Sequence, residues 1–109
     1  MPLTISEGEL AKITSAEDAL LLGIITDEGQ VRLQVADSVG TPGHVEWLKR
    51  EAITGVAAGF SLLVKKGTVS ALFVQSRLNP GADARLEQEF VVQLRDLLPL
   101  AREFRILGH

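Results

Sequence analysis

The chain has no cysteine and no tyrosine, one tryptophan, one methionine and two histidines in 109 residues. Without cysteine there can be no disulfide, no thiolate nucleophile and no sulfur-ligated metal, a composition that suits a reducing compartment. His44 is the only histidine away from the C-terminus. General acid–base chemistry therefore has few candidate groups, and the balance leans against an enzyme. Long hydrophobic runs are also missing. None approaches the ~20 apolar residues of a membrane helix. The N-terminus, MPLTISEGEL, has neither the basic region nor the apolar stretch of a signal peptide. The expectation is a cytoplasmic protein with no membrane partner. Basic charge is sparse too. Eleven Lys and Arg stand against fourteen Asp and Glu, the net charge is −3, and the longest basic run is Lys65-Lys66. A chain of that sign repels phosphate backbones, which argues against nucleic acid.

What is present is the composition of a folded domain. Hydrophobic residues make up 46% and charged residues 23%, ordinary values for a globular protein. The length suits one domain, residues 1–109, able to bury about two-thirds of its unfolded surface without staples.

The stretch GFSLLVKKGTVSALFVQS, residues 59–76, reads as a β-hairpin. Two apolar, β-branched runs flank Lys66-Gly67, and Gly67 can take the positive φ of a tight turn. A second hairpin is predicted from Leu20–Thr26 and Gln30–Ala36 around Asp27-Glu28-Gly29. Val31, Leu33 and Val35 alternate with Arg32 and Gln34, so one face of that strand is wet. In residues 1–19, Ser6-Glu7-Gly8-Glu9 matches a capping box and predicts a short helix through Ile13, or else a covering segment. Thr41 as N-cap and Pro42 at the first helical position predict a helix to about Ile53, with Gly55 as its C′ residue. Its buried stripe is expected to be Val45, Leu48 and Ala52. Asp83 is the candidate N-cap of a longer helix, whose stripe is Leu86, Phe90, Leu94, Leu97 and Leu98 with Val91 at the margin. Pro99 stops it, and Phe104–Leu107 supplies a last strand.

The order is β-β-α-β-β-α-β, with a short helix in front. Without its first strand it is β-α-β-β-α-β, so the expected fold is a ferredoxin-like α+β sandwich with an extra N-terminal strand. The alternative is a roadblock- or profilin-like α-β-β-α-β-β-α layout, which ranks second because that layout wants three strands between its last two helices.

Two helices on one sheet face leave the other face to explain. Strict alternation sets Phe60, Leu62, Val64, Val69, Ala71 and Phe73 on the helix side, and Leu63, Leu72 and Val74 on the far side. Such a face is too apolar to stand open. The N-terminal segment, a second copy of the chain or an apolar ligand could cover it. A homodimer or higher oligomer is favoured, because symmetric assemblies are common.

Few residues stand out for chemistry. Gly43 and His44 follow a glycine-rich loop at a helix start, where backbone N–H groups can hold an anion, and Arg77 could join them. The segment lacks the spacing of a dinucleotide or phosphate loop, and nothing calls for a cofactor. His44 and Glu51 are two turns apart, roughly 10 Å by helical rise, which is too far for a metal pair. Trp47 lies beyond the edge of the expected stripe and is a candidate interface residue, together with Leu63, Leu72, Val74 and, on the second long helix, Val92.

The run GFSLLVKKGTVSALFVQSRLNPGADARLEQEFVVQLRDLLPL resembles the small α+β proteins of bacterial orphan genes and integron gene cassettes. The resemblance implies one compact, often oligomeric domain and carries over no functional residue. Three functions compete: a homo-oligomeric interaction module, a small-molecule binder with its pocket at the sheet face or a subunit interface, and a small enzyme using His44.

Overall fold

The computed structural model describes residues 2–36, 43–75 and 84–107. In chain order they form β1 (Thr4–Ile5), α1 (Glu7–Thr14), β2 (Asp18–Thr26), β3 (Gln30–Val35), α2 (His44–Arg50), β4 (Val56–Lys65), β5 (Thr68–Gln75), α3 (Ala84–Leu97) and β6 (Leu100–Leu107). The architecture is mixed α+β, with the six strands in one sheet ordered β1-β3-β2-β4-β5-β6.

Both predicted hairpins form. Lys66 and Gly67 have φ of 51° and 78°, so the two-residue turn takes positive φ at both positions, as the twist of the flanking strands requires. Its tip docks on the α1–β2 connection, where the Lys66 and Gly67 amides donate to the carbonyls of Glu17 and Ala16 at 2.6 and 2.8 Å. The helix after the predicted capping box also forms, and the Ser6 hydroxyl accepts from the Glu9 amide at 3.3 Å.

The strand order is not ferredoxin-like. That topology would set β3 between β5 and β6, whereas β3 lies between β1 and β2, and β2 pairs antiparallel with β4. From α1 to α3 the elements follow one another as α-β-β-α-β-β-α, the element order of the alternative, and β6 is added parallel to β5; the sheet order shows a mixed α+β fold and no more. The helices are also shared out differently. Leu10 and Ile13 of α1 pack with Phe90 and Leu94 of α3 and with Leu98 just beyond it on one core, built on Leu21, Ile25, Val31, Leu33, Phe60, Leu62 and Leu72. Trp47 of α2 packs on Leu22 and Ile24, the opposite side chains of β2. The N-terminal segment thus covers the main face beside α3, and α2 crosses the second face.

Alternation fails in β5. The β4–β5 register runs Lys65↔Thr68 and Val64↔Val69, then shifts to Leu63↔Ala71, Leu62↔Leu72, Ser61↔Phe73 and Phe60↔Val74. One extra residue, Ser70, reverses the facing of everything after it. Leu72 is therefore fully buried in the main core and Val74 packs against it, while Ala71 and Phe73 turn to the second face.

Neither sheet edge is a clean strand. β1 covers only Gln30 and Val31 of β3. Beyond it α1 guards the edge: Glu9 Oε2 accepts from the Leu33 amide at 2.7 Å, and Lys12 Nζ donates to the Leu33 carbonyl at 2.8 Å. At the other edge, β6 pairs Leu100 with Val69 and Arg105 with Ala71, so Ala101–Phe104 bulge away opposite a single β5 residue. Arg102, Glu103 and Arg105 are exposed there. Side-chain plugs, bulges and charges are the usual protections against edge-to-edge pairing.

The tightest position is Gly23, directly opposite Phe60. A Cβ on Gly23 would overlap the Cε2 and Cζ atoms of the Phe60 ring. Gly23→Ala is expected to cost about 2 kcal/mol by overpacking, measured as a lower urea midpoint, and Phe60→Leu in the same chain should recover part of the loss. An unchanged midpoint for Gly23→Ala would show that the ring does not lie over the glycine.

Candidate functional site

Of the residues singled out for chemistry, Gly43, His44 and Trp47 come together in and before α2, on the second face. This helix has seven residues, and its N-cap Gly43 offers no side-chain hydrogen bond. Beyond Glu51 the chain leaves through Ala52, at φ 53°. The expected left-handed exit thus falls on an alanine three residues before Gly55, which is itself left-handed at φ 72°. Thr41 and Pro42, the expected helix start, lie outside the described residues, as do Arg77 and Asp83.

The buried side of α2 is only partly the predicted one: Leu48 packs against Leu22, Ile24 and Trp47, but Ala52 is exposed. Val45 is 57% exposed, and Trp47 and His44 point inward at 2% and 6% exposure. Burying the indole removes the largest apolar side chain in the helix from water, and the His44 ring is satisfied underneath. Its Nε2 lies 3.0 Å from the Gly23 carbonyl and 2.9 Å from the Phe60 carbonyl. Both partners only accept, so Nε2 carries the proton and donates. The approach is open because the Phe60 side chain points to the other face and Gly23 has none. The His44 and Trp47 rings sit 6.3 Å apart, tilted by 48°.

Trp47 Nε1 donates to Glu51 Oε2, and Arg32 Nη2 of β3 lies 3.6 Å from the same oxygen. These contacts tie the C-terminal end of α2 to β3. Trp47 is thus the core of the cover rather than an exposed interface side chain. Leu72 is likewise interior, Val74 is half-buried against the main core, and Leu63 is half-buried on the second face. Val92 is 58% exposed on the outer side of α3, in a shallow depression with Gln88, Glu89 and Gln93.

α2 covers only part of its face. By register, Leu20 lies beside Leu63 and Leu63 beside Ala71, while Phe73 lies between Ser61 and Leu107. Leu20 is 39%, Phe73 37% and Leu107 41% exposed. Among the described residues this is a continuous apolar patch across β2, β4, β5 and β6. Alternation marks the face but misassigns Leu72 and Val74 to it; Ala71 and Phe73 are the residues it misses, and no local signal announces the extra Ser70.

An internal cleft between α3 and the main sheet face is lined by Ile25, Ala58, Phe60, Leu72, Phe90 and Leu94, with room of only ≈ 20 Å³. That is the space of about one water molecule. Among the described residues no three His, Asp or Glu side chains are grouped to hold a metal ion, and no helix is long and apolar enough to cross a membrane. Searches against protein-family models, curated proteins and solved structures find no match to this chain.

The imidazole geometry has a direct check. In a long-range ¹H–¹⁵N spectrum the His44 proton is expected on Nε2. A proton on Nδ1 alone would mean that the ring does not bond the two carbonyls.

Proposed function

We propose that this chain is a non-enzymatic interaction module that associates with a second copy of itself through the half of its second face that no described residue covers. The observation that carries this reading is the patch of Leu20, Leu63, Phe73 and Leu107, in which three large apolar side chains stand more than a third exposed. Apolar patches with a polar rim mark association sites, and Asp18, Lys65 and Arg105 form such a rim here by register. Both sheet edges carry devices against strand pairing, so the face is the better route to assembly.

The competing readings have less support. The internal cleft is too small for a metabolite. The Nε2 of His44 is committed to two backbone carbonyls, which makes the ring an anchor rather than a free acid or base.

The patch spans four strands, about 14 Å at ordinary strand spacing. An apolar centre of that size suits a weak dimer, with a dissociation constant in the micromolar range. Sedimentation velocity across about 1–200 μM, a range that brackets such a constant, is expected to show a monomer–dimer equilibrium. Phe73→Glu should weaken it by about 10-fold or more, since it sets a charge in the contact. A wild-type chain that sediments as a monomer throughout would overturn the reading.

A further inference from the structure

We infer that α2 is a latched cover, which lifts from the second face as a unit while the sheet and the α1–α3 core stay folded. Local structure gives α2 little support. Seven residues are too few for a helix to persist alone in water. Its N-cap supplies no side-chain bond, and its exit holds Ala52 in the left-handed region, a conformation that L-residues other than glycine adopt at a cost. Among the described residues it is held by the His44 ring on the Gly23 and Phe60 carbonyls, by the Trp47 indole on Leu22 and Ile24 with Leu48 packed beside them, and by Glu51 between Trp47 and Arg32.

None of these attachments puts a side chain into the main core; His44 meets only the backbone carbonyls of Gly23 and of the core residue Phe60. Leu21, Leu62, Leu72 and Leu94 lie on the other side of the sheet and are at most 1% exposed. Lifting α2 removes no contact among them. Units joined to a core through so few anchors open at lower free energy than the whole domain. Once lifted, α2 uncovers Leu22 and Ile24, which continue the row of Leu20 along β2. Among the described residues, Leu22 and Ile24 then join Leu20, Leu63, Phe73 and Leu107 in one apolar surface. Opening stands independently of self-association; its consequence, that the open form offers a second copy the larger surface, rests on the self-association reading.

The test uses the full chain, through urea unfolding and amide exchange. In wild type, Trp47 emission is expected to shift to the red at lower urea than the far-UV circular dichroism changes. Peptides covering residues 44–53 should exchange on the order of 100-fold faster than those covering 60–72. His44→Ala should give the red-shifted emission without urea while keeping slow exchange in 60–72. Should that variant fail to fold, Glu51→Gln loosens the other end of the latch and is expected to move the emission transition alone. Coincident transitions and equal exchange in wild type would overturn the inference. A wild-type monomer at every concentration with separated transitions would instead remove self-association and leave the cover in place.

Discussion

The Gly23–Phe60 pair joins the two halves of this structure. On the main face the missing Cβ lets the Phe60 ring lie across β2, where it packs with the α1–α3 core. On the other face the carbonyls of the same two residues receive His44 and hold down the start of α2. A larger side chain at Gly23 would displace the ring, and with it the strand spacing that sets the two carbonyls within reach of one nitrogen. Sheet packing and helix placement are therefore coupled through one backbone position.

The two layers differ in how they are held. The main core is broad, with side chains from β2, β3, β4, β5, α1 and α3 interlocked. Burying each of its leucines contributes roughly 1.5–3 kcal/mol. The second layer is narrow: Trp47, Leu22 and Ile24 with a few half-buried neighbours. Broad burial makes the first layer cooperative, and a small number of specific anchors makes the second separable. Beside α2, Leu20, Phe73 and Leu107 leave apolar ground in contact with water.

The candidate site was legible in a limited sense. His44 and Trp47 stand out in the sequence because each is almost unique in it. The structure does bring them together on the inner side of α2, His44 against two backbone carbonyls and Trp47 against Leu22 and Ile24. Composition flags unusual residues without saying which way they point. An apolar second face was also legible, since the central strands carry more apolar residues than one face can take. Which residues form it was not, because Ser70 moves Leu72 and Val74 inward and Phe73 outward. A one-residue bulge leaves no mark on hydropathy, yet it reverses facing for the rest of the strand.

By itself the sequence determined the local elements. Turn chemistry at Lys66-Gly67 and Asp27-Glu28-Gly29, the Ser6 cap and the Phe90–Leu94–Leu98 stripe depend on residues within a few positions of one another, and all of them form. Only the tertiary structure decided the strand order, the side of the sheet each helix takes and the depth of Trp47. Those depend on contacts between segments distant in the chain, such as Glu9 with Leu33 and His44 with Phe60. Short-range periodicity specifies that an apolar stripe must be buried; long-range packing selects which surface buries it.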